Sequence, residues 1–109
     1  MGLSDWEINF LYVTDSIIHR FNRRYLKHDH PTDVIAFEMK EKGVLGDVIV
    51  SIDTARRQAK EEGHGLFTEL QILSIHGLLH ILGYRDKREK DRDAMWRETD
   101  RLLNLAEKN

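Results

Sequence analysis

Short runs rich in aromatic and β-branched residues alternate along the chain with segments whose apolar residues recur at helical spacing, and each marks an element. Trp6 to Val13 (WEINFLYV) is rich in aromatic and β-branched residues and predicts a strand. Thr14 and Asp15 are N-cap residue types, and Ile17, Ile18, Phe21 and Tyr25 follow at helical spacing. A polar loop runs from Leu26 to Pro31. Asp33 to Met39 (DVIAFEM) predicts a second strand, Lys40 to Gly43 a charged turn, and Val44 to Ile52 (VLGDVIVSI) a third strand. Ser51 or Asp53 caps a helix through Glu62 that Gly63 ends. The longest apolar helix is expected over Leu66 to Leu82, with Gly83 as its stop and a loop from Tyr84. A final amphipathic helix covers about Glu89 to Glu107, with Met95, Trp96, Leu102, Leu103 and Ala106 on or near one face. The order β-α-β-β-α-α-α predicts an α+β fold: a small mixed β-sheet packed against helices. Strand order is not contained in this pattern.

The most apolar of these segments holds two histidines, in HGLLHILGYRD from His76 to Asp86. A buried imidazole costs free energy unless both ring nitrogens find partners, and the surrounding Leu and Ile offer none. His76 and His80 stand four apart, so on a helix they share one face, a turn apart, and two imidazoles can reach one metal ion. Zinc takes nitrogen ligands readily, and catalytic sites draw typically three ligands from the protein. Gly83 permits the positive φ that lets the chain leave the helix and turn back, and Asp86 follows three residues later to close the triangle. A histidine pair alone is more often the coincidence of one polar helix face. The glycine and the placed carboxylate favour a metal site on the central apolar helix and the loop after it.

Composition narrows the chemistry. The chain has 109 residues, 40% hydrophobic and 33% charged, which fits one domain over residues 1–109 with one core. It has no cysteine, so disulfides, thiolate metal sites and cysteine nucleophiles are excluded. Seventeen Lys and Arg face nineteen Asp and Glu, a formal net charge of -2, so a nucleic-acid role needs a local basic patch. Such a patch exists: Arg20, Arg23, Arg24, Lys27, His28 and His30, with Phe21 and Tyr25 interleaved, can line an RNA groove or form a solvated helix face. No apolar run approaches a transmembrane span and no leader pattern opens the chain, so a soluble cytoplasmic protein is expected, with no membrane partner. The spacing His, His, Gly, third ligand is also that of the metzincin proteases, with Met95 offered as their methionine. Those enzymes carry a glutamate base after the first histidine, where this chain has Gly77.

HGLLHILGY closely resembles the signature H-G-x-L-H-L-x-G-Y-D-H of the YbeY family of bacterial endoribonucleases. PTDVIAF (Pro31 to Phe37) resembles that family's P-T-D-V-L-S-F, and LGDVIVS (Leu45 to Ser51) its L-G-D-I-V-I. EEGHGLFTELQILSIHG resembles the approach to its metal helix, and AMWRETD, with Met95 and Glu98, its M-x-x-x-E segment. The resemblance covers about Glu7 to the C-terminus. It implies a zinc-dependent single-strand endoribonuclease acting in ribosomal RNA maturation and ribosome quality control. One Zn2+ per chain would sit on His76, His80 and Asp86, and ribosomal RNA or the ribosome would be the partner. Catalytic work then falls to His76 and His80 through the metal; Arg85, which the family pattern does not supply, could reach a substrate phosphate from its place between Tyr84 and Asp86. RNA contacts fall to Arg23, Arg24, Lys27 and His28. Nickel or manganese could replace zinc in vitro.

Three departures from the family pattern stand out. Asp86 replaces its third histidine and Arg85 the preceding aspartate, which adds negative charge among the ligands. Leu26 stands where N-x-x-Y-R has its arginine, a residue implied to contact RNA phosphate, so Arg23, Arg24 or Lys27 would have to substitute. A family N-terminal strand and helix are expected to be missing before Trp6. These departures motivate a rival reading, a ribosome-associated assembly factor with a mainly structural zinc. Weaker signals remain open: Asp33 and Asp47 as strand residues or partners of a ligand histidine, His64 as a helix-end residue, Arg85 as neutralising Asp86 or facing solvent, Arg56 and Arg57 as exposed, and Glu98 as a structural partner on the last helix.

Overall fold

A strand covered on both faces reads as an unbroken apolar run, and VLGDVIVS is the best example in this chain. In the computed structural model, which describes residues 5–107, that segment is the centre of the sheet. The elements are β1 (Glu7–Val13), α1 (Asp15–Leu26), β2 (Val34–Glu41), β3 (Val44–Ser51), α2 (Ile52–Glu62), α3 (Leu66–Ile81) and α4 (Glu89–Glu107), in the predicted order. The sheet runs β1-β3-β2. β1 is parallel to β3, with Asn9 opposite Asp47, and β2 is antiparallel to it, with Val34 opposite Val50. The fold is therefore α+β with a small mixed sheet, as expected.

Alternation along β3 divides the core. Val48 and Val50 pack on one face with Ala55, Leu73 and Ile81. Ile49 packs on the other with Ile18 and Ile35. Two glycines allow this close layering. A Cβ on Gly46, whose φ is +154°, would lie 2.0 Å from the Phe37 carbonyl oxygen on the neighbouring strand. A Cβ on Gly77 would lie 2.5 Å from a Val48 methyl carbon, so its absence lets α3 settle directly on the sheet.

Local chemistry sets the ends of the elements, with some shifts from expectation. The turn predicted over Lys40 to Gly43 shortens to Lys42 and Gly43, because β2 continues to Glu41 through a register shift with Lys40 at φ 51°. Thr14 caps α1, its hydroxyl accepting from the Ile17 N–H at 3.3 Å. Ser51, not Asp53, caps α2. On α4, Met95 is buried as expected, but Trp96 is 58% exposed. Neighbouring helix positions stand about 100° apart. The core takes Met95 and Thr99, one turn on, which leaves Trp96 beside the buried stripe. The side chain of Ala106 lies outside the described residues. Among the described residues, no helix is long and apolar enough to cross a membrane.

The Asp15 carboxylate, read from sequence only as a capping candidate, ties three elements together. It accepts from the Ser51 hydroxyl at 2.5 Å, the Thr54 hydroxyl at 2.6 Å and the Arg57 guanidinium at 2.8 Å. Burial pushes its pKa up, but the hydrogen bonds from Ser51, Thr54 and Arg57 and the arginine's charge outweigh this and hold it below the usual carboxylate value. A depressed carboxylate contributes stability above its unfolded pKa of about 3.9 and loses it as pH falls through the lower folded value. Asp15→Asn should therefore cost about 1–2 kcal/mol at pH 7, and the deficit should shrink below about pH 4. Urea unfolding of both proteins at pH 7 and pH 3 tests this; an unchanged deficit at pH 3 would show that the charge is not what matters.

Candidate metal centre

The last turns of α3 build the site. His76 and His80 project from one face, rings at 75° with centroids 4.6 Å apart. Helix α3 ends in a Schellman-type cap: the Gly83 N–H donates to the His80 carbonyl at 3.1 Å and the Tyr84 N–H to the Leu79 carbonyl at 3.0 Å. Gly83 takes φ +105°, the left-handed turn the sequence required there. The chain reverses and brings Asp86 back over the helix. Arg92, on α4, fixes that loop by donating to the Asp86 carbonyl at 3.3 Å and the Lys87 carbonyl at 3.1 Å.

Three potential ligand atoms converge. His76 Nε2 and His80 Nε2 are 3.1 Å apart. Asp86 Oδ2 lies 3.8 Å from the first and 3.4 Å from the second. Zinc bonds of about 2.0–2.2 Å in tetrahedral array separate neighbouring ligand atoms by about 3.3–3.6 Å, so the triangle has the size of a zinc face. The donor set, two imidazoles and one carboxylate, also fits that ion. His76, His80 and Asp86 are the one such group of three among the described residues.

Electrostatics prepares the ligands. Burial, followed by the neighbouring His80, pushes the His76 imidazole below its ordinary pKa, while Asp33 and Asp86 pull it up. The net shift keeps that ring neutral and its lone pair available near pH 7. Asp33 combines its two sequence readings. It opens β2 by accepting from the Val34 N–H at 2.8 Å, accepts from Gln58 at 3.2 Å, and adds negative potential at His76 without a direct bond.

The remaining candidates fall outside this triangle. Arg85 is exposed and lines a separate hollow with Leu82, Gly83, Tyr84, Asp91 and Ala94, while the Asp86 carboxylate faces the histidines. Arg23, Arg24, Lys27 and His28 are exposed on the last turn of α1 and the loop after it. Arg24 lies 5.5 Å from the Tyr25 ring centroid, and Ile17, Arg20, Phe21, Arg24 and Tyr25 line a shallow groove. His28 stacks on His30 at 5.6 Å, and Asn22, almost fully buried, anchors this loop by donating to the His30 carbonyl at 2.8 Å. Asp47 accepts from Asn9 across the strands, His64 pairs with the buried Glu69 at 2.9 Å, and Glu98 pairs with Arg101. Arg56 lies near Asp53, whereas Arg57, expected merely to be exposed, holds Asp15. Met95 sits inside α4 and not in a turn, and position 77 faces the sheet, so neither serves as in a metzincin.

Two residues that sequence reasoning missed border the centre. Arg92 and Trp96, with Ile72, His76, Asp86, Met95 and Thr99, line a cavity of about 270 Å³. Two of its walls are metal-ligand candidates. Their part depends on how α4 seats against α3, which no local pattern encodes.

Comparison with known proteins agrees with the motifs. The family model described as Endoribonuclease YbeY matches residues 2–107. The Endoribonuclease YbeY of Bacillus licheniformis is 39% identical over 117 residues, covering 94% of this chain and 74% of that protein. That of Pelotomaculum thermopropionicum is 41% identical over 106 residues, covering 89% and 70%. The solution structure of a Thermotoga maritima protein superposes with a TM-score of 0.67 at 28% identity, covering 89% of this chain and 65% of that one. This chain belongs to the YbeY family.

Proposed function

We propose that this chain is a zinc-dependent endoribonuclease that cleaves single-stranded RNA, acting in ribosomal RNA maturation and ribosome quality control in the cytoplasm. The observation that carries the reading is the ligand triangle of His76, His80 and Asp86, in a chain whose relatives are named endoribonucleases. His76 and His80 hold the ion through Nε2, and Asp86 supplies one carboxylate oxygen. When bound, zinc supplies a Lewis acid that polarises a phosphate oxygen and acidifies water. Gly83 and Arg92 keep Asp86 in reach of the histidines. The lowered His76 pKa keeps protons from competing for the site at neutral pH. Arg23, Arg24, Lys27 and His28 draw in the phosphodiester backbone by charge, a sequence-independent attraction that weakens with salt. Arg85, in its separate hollow, is the candidate for a phosphate further along the strand.

The ribosomal assembly-factor reading has its own motive, because Leu26 and Asp86 stand where the family pattern has arginine and histidine. Metal removal separates the two. The core of Ile18, Val48, Val50, Leu73, Leu79 and Ile81 is built without any metal contact, so the chain should stay folded when zinc is chelated. Cleavage of a single-stranded ribosomal RNA fragment should cease on chelation and return when zinc is restored, with the circular dichroism of the helices retained throughout. Unfolding on chelation, together with ribosome binding but no cleavage, would establish the structural zinc instead.

A further inference from the structure

The cavity beside the metal centre has a chemical character of its own. Its volume of about 270 Å³ lies just under the range of roughly 300–1,000 Å³ usual for drug-sized ligands, so it suits one flat ring system. Two walls are His76 and Asp86; the others are Ile72, Met95, Trp96, Thr99 and Arg92, whose guanidinium donates to the Asp86 and Lys87 carbonyls. The Thr99 hydroxyl is engaged, donating to the Met95 carbonyl at 2.8 Å. Trp96 is a large aromatic side chain left 58% exposed on a helix otherwise dense in charge. An exposed tryptophan at the rim of a mostly apolar cleft presents a stacking surface, and the uncharged planar group a polynucleotide offers is its base. His76 and Asp86 belong both to the cavity wall and to the ligand triangle, so a base held in the cavity would adjoin that triangle.

We propose that Trp96 is a substrate-positioning residue: it stacks one unpaired nucleobase in this cavity and thereby sets the adjoining phosphodiester at the His76–His80–Asp86 centre. This rests on the ribonuclease reading and deepens it. Bases in a duplex are stacked and paired, so their faces are closed to Trp96, whereas a single strand can turn one out. The preference for single strands thus acquires a physical source in this chain.

The test reads binding and cleavage separately. A Trp6→Phe background leaves Trp96 as the single tryptophan. Its fluorescence is titrated with an oligoadenylate and with an abasic ribose-phosphate oligomer of equal length. Quenching by the first and not the second is expected. Cleavage by Trp96→Ala should show KM raised about 5- to 140-fold, with Trp96→Phe restoring most of the loss, since base stacking is worth about 1–3 kcal/mol. Equal quenching by the abasic oligomer would overturn the proposal in favour of a phosphate contact. An unchanged KM in Trp96→Ala, with its helices intact by circular dichroism, would overturn it as well. Base-specific quenching by a chain that cleaves nothing would uphold the base subsite and sink the ribonuclease reading alone.

Discussion

Replacing His80 by alanine is expected to abolish zinc binding and RNA cleavage together while leaving the protein folded. The geometry makes His80 the centre of the triangle. Its Nε2 is 3.1 Å from His76 Nε2 and 3.4 Å from Asp86 Oδ2, whereas the other two ligand atoms are 3.8 Å apart. Without it, a histidine and a partly exposed carboxylate remain, too few for a tetrahedral ion that must also hold substrate. Affinity for zinc should fall by more than the roughly 10–100-fold that follows loss of an outer-shell partner, and cleavage should fall with it. The fold does not need this ring. The His80 side chain is 30% exposed, and its neighbours Leu79 and Ile81 fasten the helix to the core. Alanine is also the better helix former. The zinc-free melting temperature should therefore move by less than about 4 °C. Metal content after dialysis, cleavage of a single-stranded ribosomal RNA fragment, and thermal melting in chelator decide the matter. Undiminished cleavage by His80→Ala would place the chemistry elsewhere or in a contaminating nuclease.

The features of fold and geometry that were legible in sequence share one property: their determinants are local. His76, His80, Gly83 and Asp86 lie within eleven residues, and a helix followed by one left-handed turn is enough to converge them. The third strand was legible as a strand because Val48 to Val50 form an apolar β-branched run, whereas its place at the centre of the sheet was not. Partners distant in sequence were not legible. Asp15 meets Ser51 and Arg57, 36 and 42 residues away, and nothing near Asp15 announces a carboxylate that joins two helices and a strand. Trp96 was expected on or near the apolar face of the last helix; the seating of α4 buries Met95 and Thr99 and leaves Trp96 largely exposed. Arg92 was one charge among many until the loop it holds was seen to carry Asp86. In each case the missing quantity was the register between elements.

Gly77 shows the same dependence most strongly, and its replacement by glutamate is expected to unfold the domain. In sequence, position 77 is where a metzincin keeps its general base, and Gly77→Glu would write that protease motif into the chain. The structure turns that position away from the metal. A Cβ there would stand 2.5 and 3.1 Å from the two Val48 methyl carbons and 3.3 Å from a Val34 methyl carbon. Val48 is fully buried at the centre of the sheet and has no room to yield. Alanine would bring overpacking of about 1–3 kcal/mol, offset in part by the roughly 1 kcal/mol it gains over glycine within a helix. Gly77→Ala should thus fold with a lowered melting temperature. Glutamate adds a carboxylate driven between α3 and apolar strands, at a further cost of several kcal/mol even when it protonates. Against a total stability of about 5–15 kcal/mol for a small domain, that is enough to melt it at 37 °C. Thermal melting of the three proteins should rank wild type, Gly77→Ala and Gly77→Glu in that order, the last without a cooperative transition. A Gly77→Glu protein that melts like the wild type would mean that α3 does not rest on Val48, and the placement of His76 and His80 would have to be redrawn with it.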